Sequence, residues 1–524
     1  MARILFCSYG ILFTGLIIAL VLELSTARTG GALFYVLDDP YIHLSVAESI
    51  LAGGYGVNVG EVASPSSSIL YPFLLSGTLA LGLGDWGGLI INATASIITA
   101  WIIASLIWRL AVEPQRFGSV LTAIICLPLV YACYHLFALP MTGMEHSLHV
   151  LASTAIIIGL AGLTREYSPS FLLIAGIFCA PLLRFEGLAL AGPALLMMLF
   201  MGHVRWFLVT TTALFAAFAA YWGMMTSLGL PLFPSSVLVK SNVMEAATNE
   251  SVFAAIYSVI ENIRLTLRLR FGTVYGVTIA LLLLVMSWQP AENRWRLLPM
   301  TFALICALIG HSIIGAYGSF SRWETYTFAI CVTALIIAFG GAVRRPGGSI
   351  PLRFLGIATV LAIFSAPMAK RVFTTPDASE NIYAQHYQMH RFATEFFAYP
   401  SAVNDLGWVA YRNDIHVLDL WGLGSEQARI SRTADQSGVA GIDALTREAG
   451  STYAMIYDEW FEDGLPAQWC KVATLITPKI TAAEGEVAFY LIDRSKEAEM
   501  EKALAEFAAS LPDVSSLETT PCQN

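Results

Sequence analysis

The feature that most limits what this chain can become is a succession of long apolar runs. They cover residues 4–24, 69–83, 88–110, 118–139, 143–163, 170–183, 187–201, 206–228, 272–287, 297–316, 322–341 and 354–369. A helix of about 20 apolar residues spans the ~30 Å hydrocarbon core of a bilayer. A soluble fold has no interior large enough for so many. Hydrophobic residues make up 56% of the chain and charged residues 13%, against roughly 45–50% and about 25% in soluble domains. The expected fold class is therefore an α-helical polytopic membrane protein. From about residue 370 to Asn524 the chain turns polar and reads as a second domain. A net charge of −9 excludes nucleic acid as the main partner, because phosphate binding needs a basic surface.

Orientation follows from Arg in the short loops, which favour the cytoplasmic side. Arg109 and Arg116, then Arg165, Arg205, Arg294 and Arg296, and finally Arg344, Arg345 and Arg353 recur at every second loop. With Arg3 also inside, the loop 25–68 faces outward. An odd number of crossings must then connect it to Arg109, yet two apolar runs lie between. The shorter, 69–83, contains Ser76-Gly77-Thr78 and is assigned as an interfacial or re-entrant helix. About eleven transmembrane helices remain, the first read as a retained signal anchor. The expected domains are a membrane part, 1–369, with outer loops 25–87 and 229–271, and an extracytoplasmic α/β domain, 370–524. Arg264, Arg268 and Arg270 fall outside, against the bias.

The polar residues gather on the outer face. Asp38-Asp39 follows the first span directly. Adjacent carboxylates at a membrane surface suit a general base, a metal ligand or both. The plainer alternative is a solvated loop in which Asp39 caps the helix started by Pro40. Glycines in 53–56 and serines in 64–68 punctuate the same loop. Glu145 opens an apolar run, where it complements a helix dipole. Arg184 and Glu186 sit between two short runs, as a functional pair or a local ion pair. Lys240, alone among lysines before residue 370, either snorkels to headgroups or holds a lipid phosphate. Arg322 stands at the outer end of a span, neutralised by Glu324 or held for an anion. In 252–271, Phe253, Ile256, Ile260, Ile263 and Leu267 form one face and Glu261, Arg264 and Arg268 another, as in a helix lying on a membrane.

The tail reads as a strand entering a helix over 401–411 and as further strands at 416–420, 453–457, 472–476 and 487–492, with helices between. Asp405, at a strand end, is a helix cap or a functional group. Cys470 and Cys522 could pair if the tail is exported.

Taken in order, these motifs resemble the polyprenyl-phosphate-sugar-dependent glycosyltransferases of the GT-C superfamily. The likeness is strongest to bacterial members that include the mycobacterial arabinofuranosyltransferases. Asp38-Asp39-Pro40-Tyr41-Ile42 looks like the family's acidic pair, and Thr142-Gly143-Met144-Glu145 like its second outer-loop acid. Arg184-Phe185-Glu186-Gly187 looks like the Arg-Pro-Glu-Gly turn, with Phe185 in place of Pro. Pro234 to Lys240 looks like the Pro-Asn-Thr…Lys stretch, with Ser235-Ser236 in place of Asn-Thr. Asp405-Leu406-Gly407 and Asp419-Leu420-Trp421-Gly422-Leu423 look like the outer-domain pattern.

The resemblance implies transfer of a hexosyl or pentosyl group from a polyprenyl-phosphate donor to a hydroxyl of a cell-envelope glycan or lipid acceptor. It places the chain in a bacterial cytoplasmic membrane, with the catalytic face outside. Asp38 is then the expected base, with Asp39 second in line. Glu145 and Glu186 would orient the acceptor, and Lys240, Arg322 and Arg184 would hold the donor phosphate. A divalent metal, Mg²⁺ or Mn²⁺, which some relatives require, would be held by Asp39 and Glu145. The competing classes are a lipid-linked-sugar flippase, which would show internal repeats and midplane charges, and a membrane scaffold with an exported binding domain.

Overall fold

The computed structural model describes residues 1–112, 118–240, 243, 252–340, 350–433 and 438–522. The orientation markers Arg116, Arg344 and Arg345 lie outside these residues, as do the side chains of Arg270 and Arg353. The chain is mostly helical, with a small sheet near its C-terminal end.

Among the described residues, five helices are long and apolar enough to cross a membrane: Ala2–Arg28, Trp86–Leu110, Val204–Ser227, Phe271–Trp288 and Ala291–Ile314. Five shorter apolar helices accompany them: Ile124–Cys133, His146–Ala161, Phe171–Leu183, Phe185–Phe200 and Thr325–Phe339. At about 1.5 Å rise per residue these fall short of a full bilayer core. The run expected to be re-entrant, 69–83, contains the helix Tyr71–Ala80, 10 residues long.

The chain forms two compact units. The first comprises Met1–Glu23, Gly88–Tyr221 and Ile256–Thr374. Its interior gathers Cys7, Ala100, Tyr131, Tyr134, Leu139 and Tyr326. The buried phenols find partners there: Tyr131 donates to the Ala100 carbonyl (2.8 Å) and Tyr134 pairs with Thr333 (2.6 Å). Glycine lets neighbouring helices approach closely. A Cβ on Gly159 would lie 2.5 Å from that of Leu173, and one on Gly176 would lie 2.7 Å from the Ala152 carbonyl oxygen. The amphipathic pattern of the second outer loop is realised as the helix Val252–Arg268. Phe253, Ile256, Ile260, Ile263 and Leu267 are exposed on it.

The second unit comprises Leu24–Gly87, Trp222–Ala255 and Thr375–Asn524. The first outer loop, 25–87, thus groups by contact with the tail, while the second, 229–271, is divided between the two units at 255/256. Six strands form its sheet in the order β2-β1-β3-β5-β4-β6. They are β1 Ser401–Val403, β2 Val417–Asp419, β3 Tyr453–Ile456, β4 Cys470–Ile476, β5 Glu486–Leu491 and β6 Ser516–Thr519. β1 runs parallel to β2 and β3, and the remaining pairs are antiparallel. The sequence marks the first five strands; β6 escapes it because this polar edge strand is mostly exposed and has no apolar alternation. Ala402, Leu418, Leu420, Ala454 and Ile456 face helix Val439–Glu448 through Ile442 and Leu445.

Specific side chains tie this unit to its sheet and loops. Asn58 hydrogen-bonds both ways with Val417, donating to its carbonyl (2.9 Å) and accepting from its N–H (3.0 Å). It thereby covers the open edge of β2, which would otherwise expose unpaired backbone. Asn381 accepts from the N–H groups of Ile480, Thr481 and Ala482. Cys470, which opens β4, is disulfide-bonded to Cys522, with a Cα–Cα distance of 5.7 Å.

Candidate functional site

In the second unit, Pro40 starts the helix Asp39–Leu51 at its first turn, where a proline costs no hydrogen bond. Asp38 precedes the helix but does not cap it, and Asp39 is its first residue, not its cap. The two adjacent carboxylates meet different surroundings. Asp38 is buried, and its Oδ1 accepts a hydrogen bond of 2.8 Å from the Trp408 N–H. Its Oδ2 is buried without a hydrogen-bond partner. Asp39 is more open and is ion-paired with Lys240 at 2.9 Å. Lys240 ends the short helix Ser235–Lys240. That helix is anchored by the Ser235 N–H, which donates to the Ser64 carbonyl at 2.9 Å. The two serine-bearing motifs therefore serve to hold a lysine beside an aspartate.

Trp408 reaches Asp38 because the chain turns sharply after β1. Asn404 closes that turn by accepting from the Tyr457 N–H (3.1 Å). The four-residue helix Gly407–Ala410 follows. Gly407 packs directly on Asp38: a Cβ there would lie 2.2 Å from Oδ2. Asp405 neither caps this helix nor faces solvent alone. Its Oδ2 pairs with His386 Nε2 at 3.0 Å and accepts from the Tyr457 hydroxyl at 3.3 Å. The single proton of that hydroxyl is shared with the nearer Gln385 Oε1, at 2.8 Å.

Asp38, His386 and Asp405 thus converge, each offering a ligand atom within 4.8 Å of the others. Burial raises Asp38 to about 7, against the opposing pull of His386 and the Trp408 N–H, with Asp405 and Asp39 raising it further. Burial alone would lower His386, but the charges of Asp38 and Asp405 outweigh it and hold the imidazole above its ordinary value. The cluster sets an imidazole whose charged form is favoured between two carboxylates. Two carboxylate oxygens and one imidazole nitrogen also match the donor chemistry of a divalent cation. Among the described residues this is the set that converges so. The pair expected to hold a metal is otherwise engaged: Asp39 by Lys240, and Glu145, in the first unit, by Arg184.

The remaining expected residues lie in the first unit. Arg184 bridges Glu145 (3.0 Å) and Glu186 (2.7 Å), joining two motifs far apart in sequence. The turn forms because Arg184 is extended and Gly187 lies against the Ala180 carbonyl, 2.5 Å from where a Cβ would stand. Arg322 is buried on the loop after helix Ala291–Ile314, its guanidinium 5.2 Å from the Trp323 ring centroid. Glu324 accepts from the Gly318 N–H at 3.0 Å. Gly318, Ser319, Phe320 and Ser321 all have positive φ, a conformation costly for side-chain-bearing residues.

Neither His386 nor Tyr457 carries a signal in the sequence. His386 lies in a polar stretch without a motif, and Tyr457 ends an ordinary strand pattern. Gly407, two residues after Asp405, was the one available signal of a close backbone approach. Among known proteins, a family model described as "Domain of unknown function (DUF8728)" matches residues 380–490, the segment that carries His386, Asp405, Trp408 and Tyr457. No curated protein matches the chain.

Proposed function

We propose that this chain is an integral membrane glycosyltransferase. It moves a sugar from a polyprenyl-phosphate donor to a hydroxyl of a cell-envelope glycan or lipid acceptor, on the outer face of a bacterial cytoplasmic membrane. The single observation that carries the reading is Asp38: a buried carboxylate fixed at one oxygen by Trp408 and bearing no hydrogen bond at the other. A carboxylate so held suits a general base, which needs a fixed position. Asp38 accepts the acceptor hydroxyl proton as the acceptor oxygen bonds to the anomeric carbon. The bond from that carbon to the donor phosphate breaks, and polyprenyl phosphate leaves with the electron pair. In this reading Lys240 stabilises the departing phosphate. His386 balances the charge of Asp38 and Asp405, and Tyr457 holds Asp405 in place. The Cys470–Cys522 disulfide supports an exported tail, since such bonds persist in oxidising compartments.

A divalent cation, if required, would be held by Asp38, His386 and Asp405, where it would neutralise the carboxylates and polarise a substrate oxygen. Asp38 would then be a ligand, and proton acceptance would fall to Asp39.

The test is sugar transfer by purified protein with a panel of polyprenyl-phosphate sugars, with and without EDTA. Wild type is compared with Asp38→Asn and Asp39→Asn. Loss in Asp38→Asn alone, insensitive to EDTA, is the expected result. Loss in Asp39→Asn with EDTA sensitivity selects the metal-bound form. Folded wild type that neither turns over nor binds any donor refutes the enzyme reading and favours a scaffold, whereas donor binding without turnover favours a flippase.

A further inference from the structure

The three groups that converge at the candidate site arrive from separate elements of the second unit, and each is held in place by the protein itself. Asp38 precedes the helix Asp39–Leu51 and is fixed by the Trp408 N–H. Asp405 follows β1 and is steadied by the Tyr457 hydroxyl, 3.3 Å away. His386 opens the helix His386–Arg391. Its neighbour Gln385 pins that end of the helix by donating to Thr477 Oγ1 and to the Glu484 carbonyl, each at 2.8 Å. Asp38 and His386 are buried, and Asp38 Oδ2 and His386 Nδ1 have no hydrogen-bond partner. Asp405 has a quarter of its side chain exposed, which gives a small ion a way in.

Such a set has the makings of a transition-metal site. Each group offers a ligand atom within 4.8 Å of the others. His386 Nε2 and Asp405 Oδ2 lie 3.0 Å apart, near the ~3.3 Å edge of a tetrahedron with bonds of about 2.0–2.1 Å. Three protein ligands leave a fourth position open, as zinc tolerates. A doubly charged ion in place of the imidazole proton would neutralise the two carboxylates. The donor set also separates one cation from another. Mg²⁺ favours six oxygens and keeps several waters. An imidazole in a buried set of three donors favours Zn²⁺ over Mn²⁺, and both over Mg²⁺. Binding there would occupy the carboxylate that accepts the proton in the reaction described above. Asp39 is a poor substitute, because Lys240 already engages it at 2.9 Å.

We propose that Asp38, His386 and Asp405 form an inhibitory site for a borderline transition cation, of which Zn²⁺ is the best fit. The inhibitory sense rests on the reading of Asp38 as the base. The site itself stands on the convergence of the three side chains.

The experiment titrates zinc, manganese and magnesium chloride into metal-stripped full-length protein in detergent by isothermal calorimetry, and follows sugar transfer in the same samples. Wild type is compared with His386→Gln, Asp405→Asn and Asp39→Asn, and melting curves recorded without metal check the folding of each. One Zn²⁺ should bind per chain, at least about a hundredfold more tightly than Mg²⁺. The affinity should fall about a hundredfold in His386→Gln and in Asp405→Asn, and change less than about threefold in Asp39→Asn. Saturating Zn²⁺ should lower wild-type transfer more than about tenfold, and EDTA should restore it. No Zn²⁺ binding, binding unchanged in both His386→Gln and Asp405→Asn, or a preference for Mg²⁺ overturns the site and leaves the enzyme reading to its own test. Zn²⁺ that binds there and raises transfer overturns the inhibitory sense and selects the metal-bound form. Zn²⁺ that binds there without changing transfer keeps the site and sinks Asp38 as the base. Zn²⁺ binding in a protein that transfers no sugar under any condition keeps the site and sinks the enzyme reading.

Discussion

Replacing Gly407 by alanine tests the construction of the Asp38 site with a single methyl group. The new Cβ would stand 2.2 Å from Asp38 Oδ2, 2.3 Å from its Cγ and 2.3 Å from its backbone carbonyl oxygen. Ordinary contact begins near 3.4 Å, so a displacement of about 1 Å is required. The side chain cannot absorb it alone, because the obstructing atoms include the carbonyl that accepts from the Tyr41 N–H at 3.1 Å. Gly407 is helical, so the substitution adds no backbone strain of its own. Moving Asp38 away from the Trp408 N–H loses a hydrogen bond to a charged group, about 1.5–3 kcal/mol. Overpacking adds about 1–3 kcal/mol. For a unit of this size the melting temperature should fall by on the order of 10 °C. A misplacement of about 1 Å at the base should lower kcat by roughly 10²-fold. Gly438→Ala is the control, since nothing lies within 4 Å of a Cβ there and its φ is −78°. Thermal melts and sugar transfer are measured on all three proteins. A Gly407→Ala protein that melts with wild type and transfers at about its rate refutes the packing argument.

Four further outcomes follow from the same structure. Lys240→Met should raise donor KM about tenfold by removing the cation beside Asp39, and an unchanged KM would release Lys240 from phosphate binding. Asn381→Ala deletes an oxygen that accepts three backbone N–H groups. It should cost about 3 kcal/mol, seen as a lower melting temperature. Reducing Cys470–Cys522, which closes a 52-residue span, should cost ~4 kcal/mol by loop entropy, and a Cys522→Ser protein should melt as the reduced wild type does. Glu61 would be raised by burial, but hydrogen bonds from His416, Asn58 and Ser425 outweigh that and hold it below its ordinary 4.5. A lowered folded value means stability present above 4.5 and lost as the pH falls through the depressed value. The melting difference between wild type and Glu61→Gln should therefore shrink as the pH drops below about 4.5, and a constant difference would sink that assignment.

Much about this chain is local and was open to sequence alone. Burying an apolar run in a bilayer depends only on the run itself, so the membrane character is plain from hydropathy. The count of crossings is another matter. Several runs form helices too short to span a bilayer core, and hydropathy does not show how far each helix extends. Alternation and turn residues likewise mark β1 to β5, but not the exposed β6. Asp38 and Asp39 stand out as neighbours, since their repulsion is written in adjacency.

What the two aspartates become is decided by residues far along the chain. Trp408, 370 positions away, fixes Asp38, and Lys240, 201 positions away, takes Asp39. His386 and Asp405 carry no local pattern that joins them to Asp38. They meet it because β1 and the helix His386–Arg391 pack in the same unit. Charge, burial and hydrogen bonding act through space, whereas periodicity acts along the chain. Hydropathy and adjacency therefore suffice for a membrane protein with an acidic pair and an α/β tail. Which acid is buried beside a histidine and which is matched by a lysine depends on packing between distant segments.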